Sequence, residues 1–343
     1  MNILFTGGGT LGSVTPLLAV YEELSRDGVK AHWIGTRMGP ERTLVERAGI
    51  PFFAMTTGKV RRYIHWRNLV DPFLLVIGFV QAFIFLFRVR PDMIVNAGSF
   101  VGVPVVIAGW LIGIPSVIIQ LDVEPVRSNL LTAPIASAIC VAVVETAHHF
   151  PKEKTTVTGI PVRKLMSRPK PTSDRLTLLV TGGGIGAQKI NELVLSSLDR
   201  LTSVADVIHY TGAFKDEEGL KAAQRNARYH PIAFGMKMTD LVRADVVVTR
   251  AGMGTLAELA MLGKPAVVIP LPDSPQEVNA RYFENRHAAI VRSQKELTPE
   301  RFADEVIELL DNEAIRQSLS RAIVKVFPHD ASKRVAEIIQ KRI

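Results

Sequence analysis

Cysteine is almost missing from this chain: Cys140 stands alone among 343 residues. A single thiol excludes an internal disulfide and a cysteine-built metal site, and it suits a reducing compartment. Cys140 sits in the apolar run from Ala138 to Val144 and reads as inert core. Trp and Tyr are also scarce, three and five, and no aromatic alternates with basic residues as a base-stacking platform would require. The eight His show no metal-ligand spacing. No apolar run reaches the roughly 20 residues needed to span a bilayer. Met1 to Gly9 carries no basic n-region and no long h-region, so it reads as a first strand and not as a signal peptide.

What is present is a globular composition, 47% hydrophobic and 22% charged, too long for one ordinary core and therefore expected to form two domains. The net charge of +8 suits an anionic partner. With nucleic acid disfavoured by the aromatics, phosphates on a small ligand and acidic lipid headgroups remain.

Short apolar runs alternate with amphipathic stretches, the pattern of an α/β fold with parallel sheets covered by helices. In the first half, strands are expected at Asn2–Phe5, Ala31–Ile34, Met93–Val95, Ser116–Ile119 and Ile139–Val143, with helices at Leu17–Asp27 and Glu41–Ala48. The series restarts with strands at Leu176–Val180, Val207–Tyr210, Val246–Val248 and Ala266–Ile269, and helices at Ala187–Arg200, Thr255–Leu262 and Pro299–Leu310. Between the halves, Pro161, Pro169 and Pro171 mark an extended connector. The expected domains are therefore 1–163 and 164–343, with the last helix free to pack back on the first. Two Rossmann-like domains of this kind place a ligand in the cleft where the C-terminal ends of their strands face each other.

Each half opens with strand, glycine loop and helix. The loops are Gly7-Gly8-Gly9-Thr10-Leu11-Gly12-Ser13 and Thr181-Gly182-Gly183-Gly184-Ile185-Gly186. One such turn is often only tight packing; two suit phosphates on one side and a second anionic substrate on the other. The first loop contains G-x-G-x-x-G, but a nicotinamide enzyme also needs an acid closing the second strand. Here that strand ends Trp33-Ile34-Gly35-Thr36-Arg37, which argues against a dehydrogenase. The most specific local signal runs from Arg250 through Gly252, Met253, Gly254 and Thr255 to Glu258. It reads as a buried strand, a glycine turn and a helix with Glu258 on its first turn. A carboxylate there can hold a ribose diol while N–H groups ahead of it face phosphate; the plainer reading is an acid stabilised by the helix dipole.

These blocks resemble the MurG-type transferases. The likeness extends through Gly35-Thr36 with Gly39-Pro40-Glu41, Pro91-Asp92, Gly98-Ser99-Phe100, Pro125 with Asn129, Glu145-Thr146, Thr158 to Arg163, Gly182 to Gln188 with Asn191, and Gln276 with Asn279-Ala280. The resemblance implies a GT-B fold and transfer of N-acetylglucosamine from UDP-GlcNAc to undecaprenyl-diphospho-muramoyl-pentapeptide (lipid I), making lipid II for peptidoglycan. It implies no cofactor. By the same resemblance, Phe234 lies by the uracil and Glu258 holds the ribose. Met253, Gly254 and Thr255 meet the diphosphate, with Arg163 and the Gly184 loop nearby. Gln276 reads the sugar hydroxyls, and Thr10, Leu11 and Gly12 border the reacting sugar and the acceptor.

Several family positions differ. The family's first loop usually reads G-G-T-G-G-H, and this chain has Leu11 for a glycine and Ser13 for the histidine. Ile119, Gln120 and Leu121 stand where His-Glu-Gln is usual. These changes keep open a related transferase with another lipid-linked acceptor, or a homologue that binds UDP-sugar with weakened catalysis. No D-x-D triplet is present, so helix N-termini and Arg163 are expected to offset the charge of the leaving diphosphate, with no metal assigned. The inverting transfer of this family needs a base for the acceptor hydroxyl. Asp122 and Ser13 are the candidates, although Asp122 also reads as a turn aspartate before Pro125.

Phe73 to Phe87 carries no charge over fifteen residues, with Lys59, Arg61, Arg62 and Arg67 before it and Arg88 and Arg90 after. This suits insertion into an anionic leaflet from one side, at the cytoplasmic face of the cell membrane. A core helix is the competing reading.

Overall fold

Val, Ile and Leu cluster in this chain without the alternation of a half-exposed sheet, and the strands they form are buried on both faces. The structure, a computed structural model, describes residues 1–57, 67–163, 175–183, 186–214 and 216–343. It divides into two units, one of Met1–Lys164 with Pro328–Ile343 and one of Leu165–Phe327.

The first unit holds β1 (Asn2–Thr6), β2 (Lys30–Thr36), β3 (Phe52–Met55), β4 (Met93–Asn96), β5 (Ser116–Gln120), β6 (Ala138–Val141) and β7 (Thr155–Val157). Their spatial order is β3-β2-β1-β4-β5-β6-β7, parallel throughout. The second unit holds β8 (Leu176–Thr181), β9 (Ala205–Tyr210), β10 (Tyr229–Ile232), β11 (Val246–Thr249), β12 (Ala266–Val268) and β13 (Ile290–Val291), in the parallel order β10-β9-β8-β11-β12-β13. Every residue of β4, β6, β11 and β12 is buried. Cys140 lies in β6, fully buried, and burial pushes its thiol up to about 12, which leaves it protonated and unreactive.

Helices cover both faces of each sheet. In the first unit α1 (Val14–Leu24) packs against the closing helix Ala331–Gln340, so the end of the chain belongs to the first unit and not to the second. α2 is Glu41–Arg47, α3 is Arg67–Val89 and α4 is Gly102–Leu111. The helix expected over Ala187–Arg200 breaks into Gln188–Ser196 and Leu198–Val204. The break falls at Ser197, whose hydroxyl donates to the Pro299 carbonyl at 2.8 Å, at the start of the helix Pro299–Asp311.

α3 is neither a core helix nor an ordinary amphipathic one. Ala82 and Leu86 are buried against Met55, Ile94 and Val105, with Phe79, Phe83 and Phe85 packed beside them. Phe73, Val76, Ile77, Val80, Ile84 and Phe87 are exposed, Phe73 at 72%. Their spacing of three and four places them on one helical face. Trp110 and Leu111, at the end of the neighbouring α4, are exposed as well. No described helix is long and apolar enough to cross a membrane.

One buried polar network braces the second sheet. His209 is fully buried, with Nδ1 2.8 Å from the Tyr229 hydroxyl and Nε2 3.0 Å from Asn191 Oδ1. The Asn191 amide NH₂ donates to the Thr211 carbonyl at 2.8 Å, so its oxygen accepts from His209 and assigns the proton to Nε2. Nδ1 then accepts from Tyr229. Burial holds the His209 pKa down to about 3, whereas the unfolded side chain titrates near 6.5. Between those values the unfolded chain binds a proton that the folded one lacks. The His209 contribution is therefore complete above pH 6.5 and is lost on acidification, by up to roughly 1.4 kcal/mol per pH unit. Urea midpoints taken at pH 7 and pH 5 should fall further for the wild type than for His209→Gln; equal falls would show that His209 is not the linked group.

Candidate functional site

In a parallel sheet the crevice for a ligand opens where successive connections run to opposite sides of a central strand. In the second unit β8 is that strand, flanked by β9 and β11. Thr181 pairs in register with Thr249, so the glycine loop after β8 and the turn after β11 leave the same edge side by side. Gly184 lies outside the described residues.

The helix after β11 spans Met253–Leu262, with Gly252 as its extended N-cap. Glu258 is therefore the sixth residue, on the second turn and not on the first as its sequence position suggested. The glycine turn ends sooner because Met253 buries its side chain as the first helical residue. The first intrahelical bond runs from the Leu256 N–H to the Gly252 carbonyl at 3.0 Å. The N–H groups of Met253, Gly254 and Thr255 precede it, and no side chain caps them. Gly254, Thr255 and Glu258 share the partly exposed stripe of the helix at spacings of three and four, whereas Met253 offers only its backbone.

Two buried side chains hold this turn in place. Arg250, only 8% exposed, donates through Nη1 to the Ile269 and Pro270 carbonyls, both at 3.0 Å, and through Nη2 to Gln294 Oε1 at 2.6 Å. Burial lowers its pKa. The Asn279 amide donates to the Ala251 carbonyl at 3.2 Å. Together they tie the turn after β11 to the loop after β12. Gln276 opens the helix Gln276–Glu284 and accepts the Leu271 N–H at 3.0 Å, which directs its NH₂ elsewhere. Phe234 follows β10 at the same edge of the sheet and is 62% exposed.

In the first unit the switch falls at β1, between β2 and β4. Its glycine loop is held from three sides. The Gly7 carbonyl accepts Trp33 Nε1–H at 2.9 Å, and the Gly8 carbonyl accepts the Ser99 hydroxyl at 3.0 Å. The third anchor is Glu41, fully buried. Its Oε1 accepts the Thr36 N–H at 2.7 Å and the Thr36 hydroxyl at 2.5 Å, while Oε2 accepts the Gly9 N–H at 3.3 Å. A methyl group on Gly8 or Gly39 would overlap the Glu41 carboxyl, so both glycines exist to admit it. Thr10, Leu11 and Gly12 lie at or near the surface, with Leu11–Ser13 forming one 3₁₀ turn. Ser13 is buried and its hydroxyl turns inward without a hydrogen-bond partner.

Asp122 sits on the partly exposed loop after β5. Buried Gln120 organises this loop: its amide donates to the Asp122 carbonyl at 2.8 Å and the Glu124 carbonyl at 3.2 Å. Its Oε1 accepts the Val126 N–H at 3.3 Å and Asn129 Nδ2–H at 2.8 Å. A carboxylate at position 120 could not donate to those two carbonyls. Arg163 pairs with Glu22 of α1, its Nε 2.6 Å from Oε1, in an exposed ion pair.

Beneath these candidate residues lie four buried polar supports, Glu41, Gln120, Asn129 and Asn279. Glu41 and Asn129 stand in the sequence only within matching blocks and Gln120 only as a departure, whereas Asn279, which the sequence offers as an amide for sugar hydroxyls, is fully buried and donates to the Ala251 carbonyl. The available signal was a polar residue next to buried strand ends, where an unpaired group is costly.

Comparison with known proteins agrees with this architecture. Residues 3–141 match the glycosyltransferase family 28 N-terminal domain, and residues 177–339 match the C-terminal domain of the same family. A protein of Shouchella clausii named UDP-N-acetylglucosamine--N-acetylmuramyl-(pentapeptide) pyrophosphoryl-undecaprenol N-acetylglucosamine transferase is 38% identical, over 90% of each chain. A Bacillus cereus protein with the same name, numbered 2, is 34% identical over 99% of each. The crystal structure of Acinetobacter baumannii MurG superposes with a TM-score of 0.74, covering 99% of both chains at 24% identity. Two parallel-sheet units, a glycine loop at the switch point of each and full-length relatives converge on one assignment: this chain is a GT-B glycosyltransferase of family 28 and belongs with the MurG-type enzymes.

Proposed function

We infer that this chain transfers N-acetylglucosamine from UDP-GlcNAc to lipid I, producing lipid II for peptidoglycan synthesis. The observation that carries the reading is the stripe of Gly254, Thr255 and Glu258 at the uncapped start of one helix, in a chain whose relatives are named for this transfer. Residues 165–327 hold the donor. Glu258 accepts from the ribose diol, and the N–H groups of Met253, Gly254 and Thr255 bind the diphosphate with the dipole behind them. Gln276 turns its NH₂ to a sugar oxygen, and Phe234 covers the uracil. By the family resemblance Arg163 is the cation for the diphosphate; its exposed pair with Glu22 is worth only roughly 0–1 kcal/mol and does not commit it. The Gly184 loop completes this set.

The first unit takes the acceptor, with Thr10, Leu11 and Gly12 along its diphosphate. Its hydroxyl attacks the anomeric carbon opposite the departing UDP and gives its proton to Asp122. Asp122 is preferred to Ser13 because the Ser13 hydroxyl is buried. Charge that develops on the leaving diphosphate is met by backbone N–H groups and Arg163. The exposed stripe of α3 rests on an anionic membrane at its cytoplasmic face, where the lipid-linked acceptor is presented; no role is assigned to nucleic acid.

The test is an assay of radiolabelled UDP-GlcNAc with a short-chain lipid I analogue, scored for the disaccharide product. Asp122→Asn should reduce turnover about 10²–10⁴-fold while UDP still binds. Full turnover in that variant would remove Asp122 from the mechanism. A wild-type enzyme that binds UDP-GlcNAc but makes no disaccharide would favour a different lipid-linked acceptor or a homologue with weakened catalysis, the two readings that Leu11, Ser13 and Ile119 to Leu121 support.

A further inference from the structure

Tyr210 is buried, 3% exposed, as the last residue of β9, with Thr181 and Ile232 as its neighbours across the sheet. Its hydroxyl does two things at once. It accepts the Lys237 backbone N–H at 3.0 Å and donates to Asp240 Oδ2 at 2.5 Å. Asp240 lies in the first turn of the helix Met238–Arg243. The next residue, Thr211, donates its N–H to the Ile232 carbonyl at 3.0 Å. Residues 210 and 211 therefore grip both ends of the loop 233–237, Thr211 at the strand side and Tyr210 at the helix side. That loop displays Phe234 and turns through Gly235, whose φ of +84° lies in the left-handed region. An exposed aromatic on a short loop binds a flat ring well only when the loop is already ordered, because ordering it on binding opposes association.

We propose that Tyr210 is a positioning residue for the donor nucleotide, acting at a distance by fixing the loop that carries Phe234. It touches neither substrate nor reacting atoms. Burial and the Asp240 hydrogen bond raise its pKa to about 12, so the hydroxyl stays a donor across the working range. The proposal rests on the reading that Phe234 lies beside the uracil.

Tyr210→Phe keeps the ring and deletes only the hydroxyl. The KM for UDP-GlcNAc should rise roughly five- to tenfold, as should the Kd for UDP, with kcat changed by less than about twofold. A merely structural hydroxyl would lower the melting temperature without this split. Asp240→Asn, which weakens the same anchor, should move KM in the same direction. Phe234→Ala serves as the reference and should raise KM by itself. In the double variant Tyr210→Phe/Phe234→Ala, KM should stay close to that of Phe234→Ala alone, since the loop no longer has a ring to position. If Phe234→Ala raises KM and Tyr210→Phe does not, the positioning role is wrong. Full additivity in the double variant would also overturn it. If Phe234→Ala leaves KM unchanged, the placement of the uracil fails, and the proposal falls with it.

Discussion

Glu41→Ala should destabilise the first unit by about 3–5 kcal/mol and abolish turnover, more than any substitution at the exposed face of either site. The reason is the number of donors that converge on one buried carboxyl. The Thr36 N–H, the Thr36 hydroxyl and the Gly9 N–H all lose their acceptor. Each stranded buried donor costs about 1–3 kcal/mol, and the space left by the side chain adds to this. Glu41→Gln separates folding from function. Its single oxygen can keep both Thr36 bonds, but its NH₂ then faces the Gly9 N–H. The variant should fold with a penalty of about 1–3 kcal/mol while the glycine loop loses its tether. Urea denaturation and the disaccharide assay give the two readouts. A Glu41→Gln enzyme with unchanged kcat and unchanged KM for acceptor would show that the tether is irrelevant to the reaction.

Changing Phe73, Val76, Ile77 and Val80 together to serine should abolish sedimentation with anionic vesicles and leave thermal stability within a few degrees. All four are exposed, so the folded state makes little use of them. Burying such side chains in a leaflet is worth about 1.5–3 kcal/mol each when complete, and partial insertion of four still amounts to several kcal/mol. Arg88 and Arg90 at the end of the helix are exposed and add roughly 1 kcal/mol each on an anionic surface. Lys59, Arg61 and Arg62 lie outside the described residues. Vesicle binding should therefore weaken with salt and with neutral lipid, though less steeply than it does with the serine variant. If the quadruple variant binds vesicles as the wild type does, α3 is not the membrane surface.

Much of this fold was legible because buried parallel strands are continuous apolar runs. β1, β2, β4, β5, β8 and β11 fall within a residue or two of where the hydrophobic pattern placed them. The misses are the four edge strands, β3, β7, β10 and β13. β3 and β10 each pair on one side only and are four residues long, and β10 carries Pro231, which weakens any strand signal. An edge strand tolerates that proline because one of its sides needs no partner. Glu258 moved from the first to the second helical turn because a glycine followed by Met253 gives no visible N-cap signal. The surface of the candidate site was legible through glycines next to strand ends. Its support was not, because Glu41, Arg250 and Tyr210 act through partners distant in sequence, with Glu41 reaching Gly9, Arg250 reaching Gln294 and Tyr210 reaching Asp240. Tertiary hydrogen bonds leave no periodicity to read.

The closing helix Ala331–Gln340 lies on α1, burying Ala331, Val335, Ala336 and Ile339. During synthesis these residues emerge only after the whole of residues 165–327. At about 5–20 residues per second, the first unit waits on the order of 10–30 s for its last helix. Through that interval one flank of α1 has no cover, so the nascent first half is the stretch most in need of a holdase.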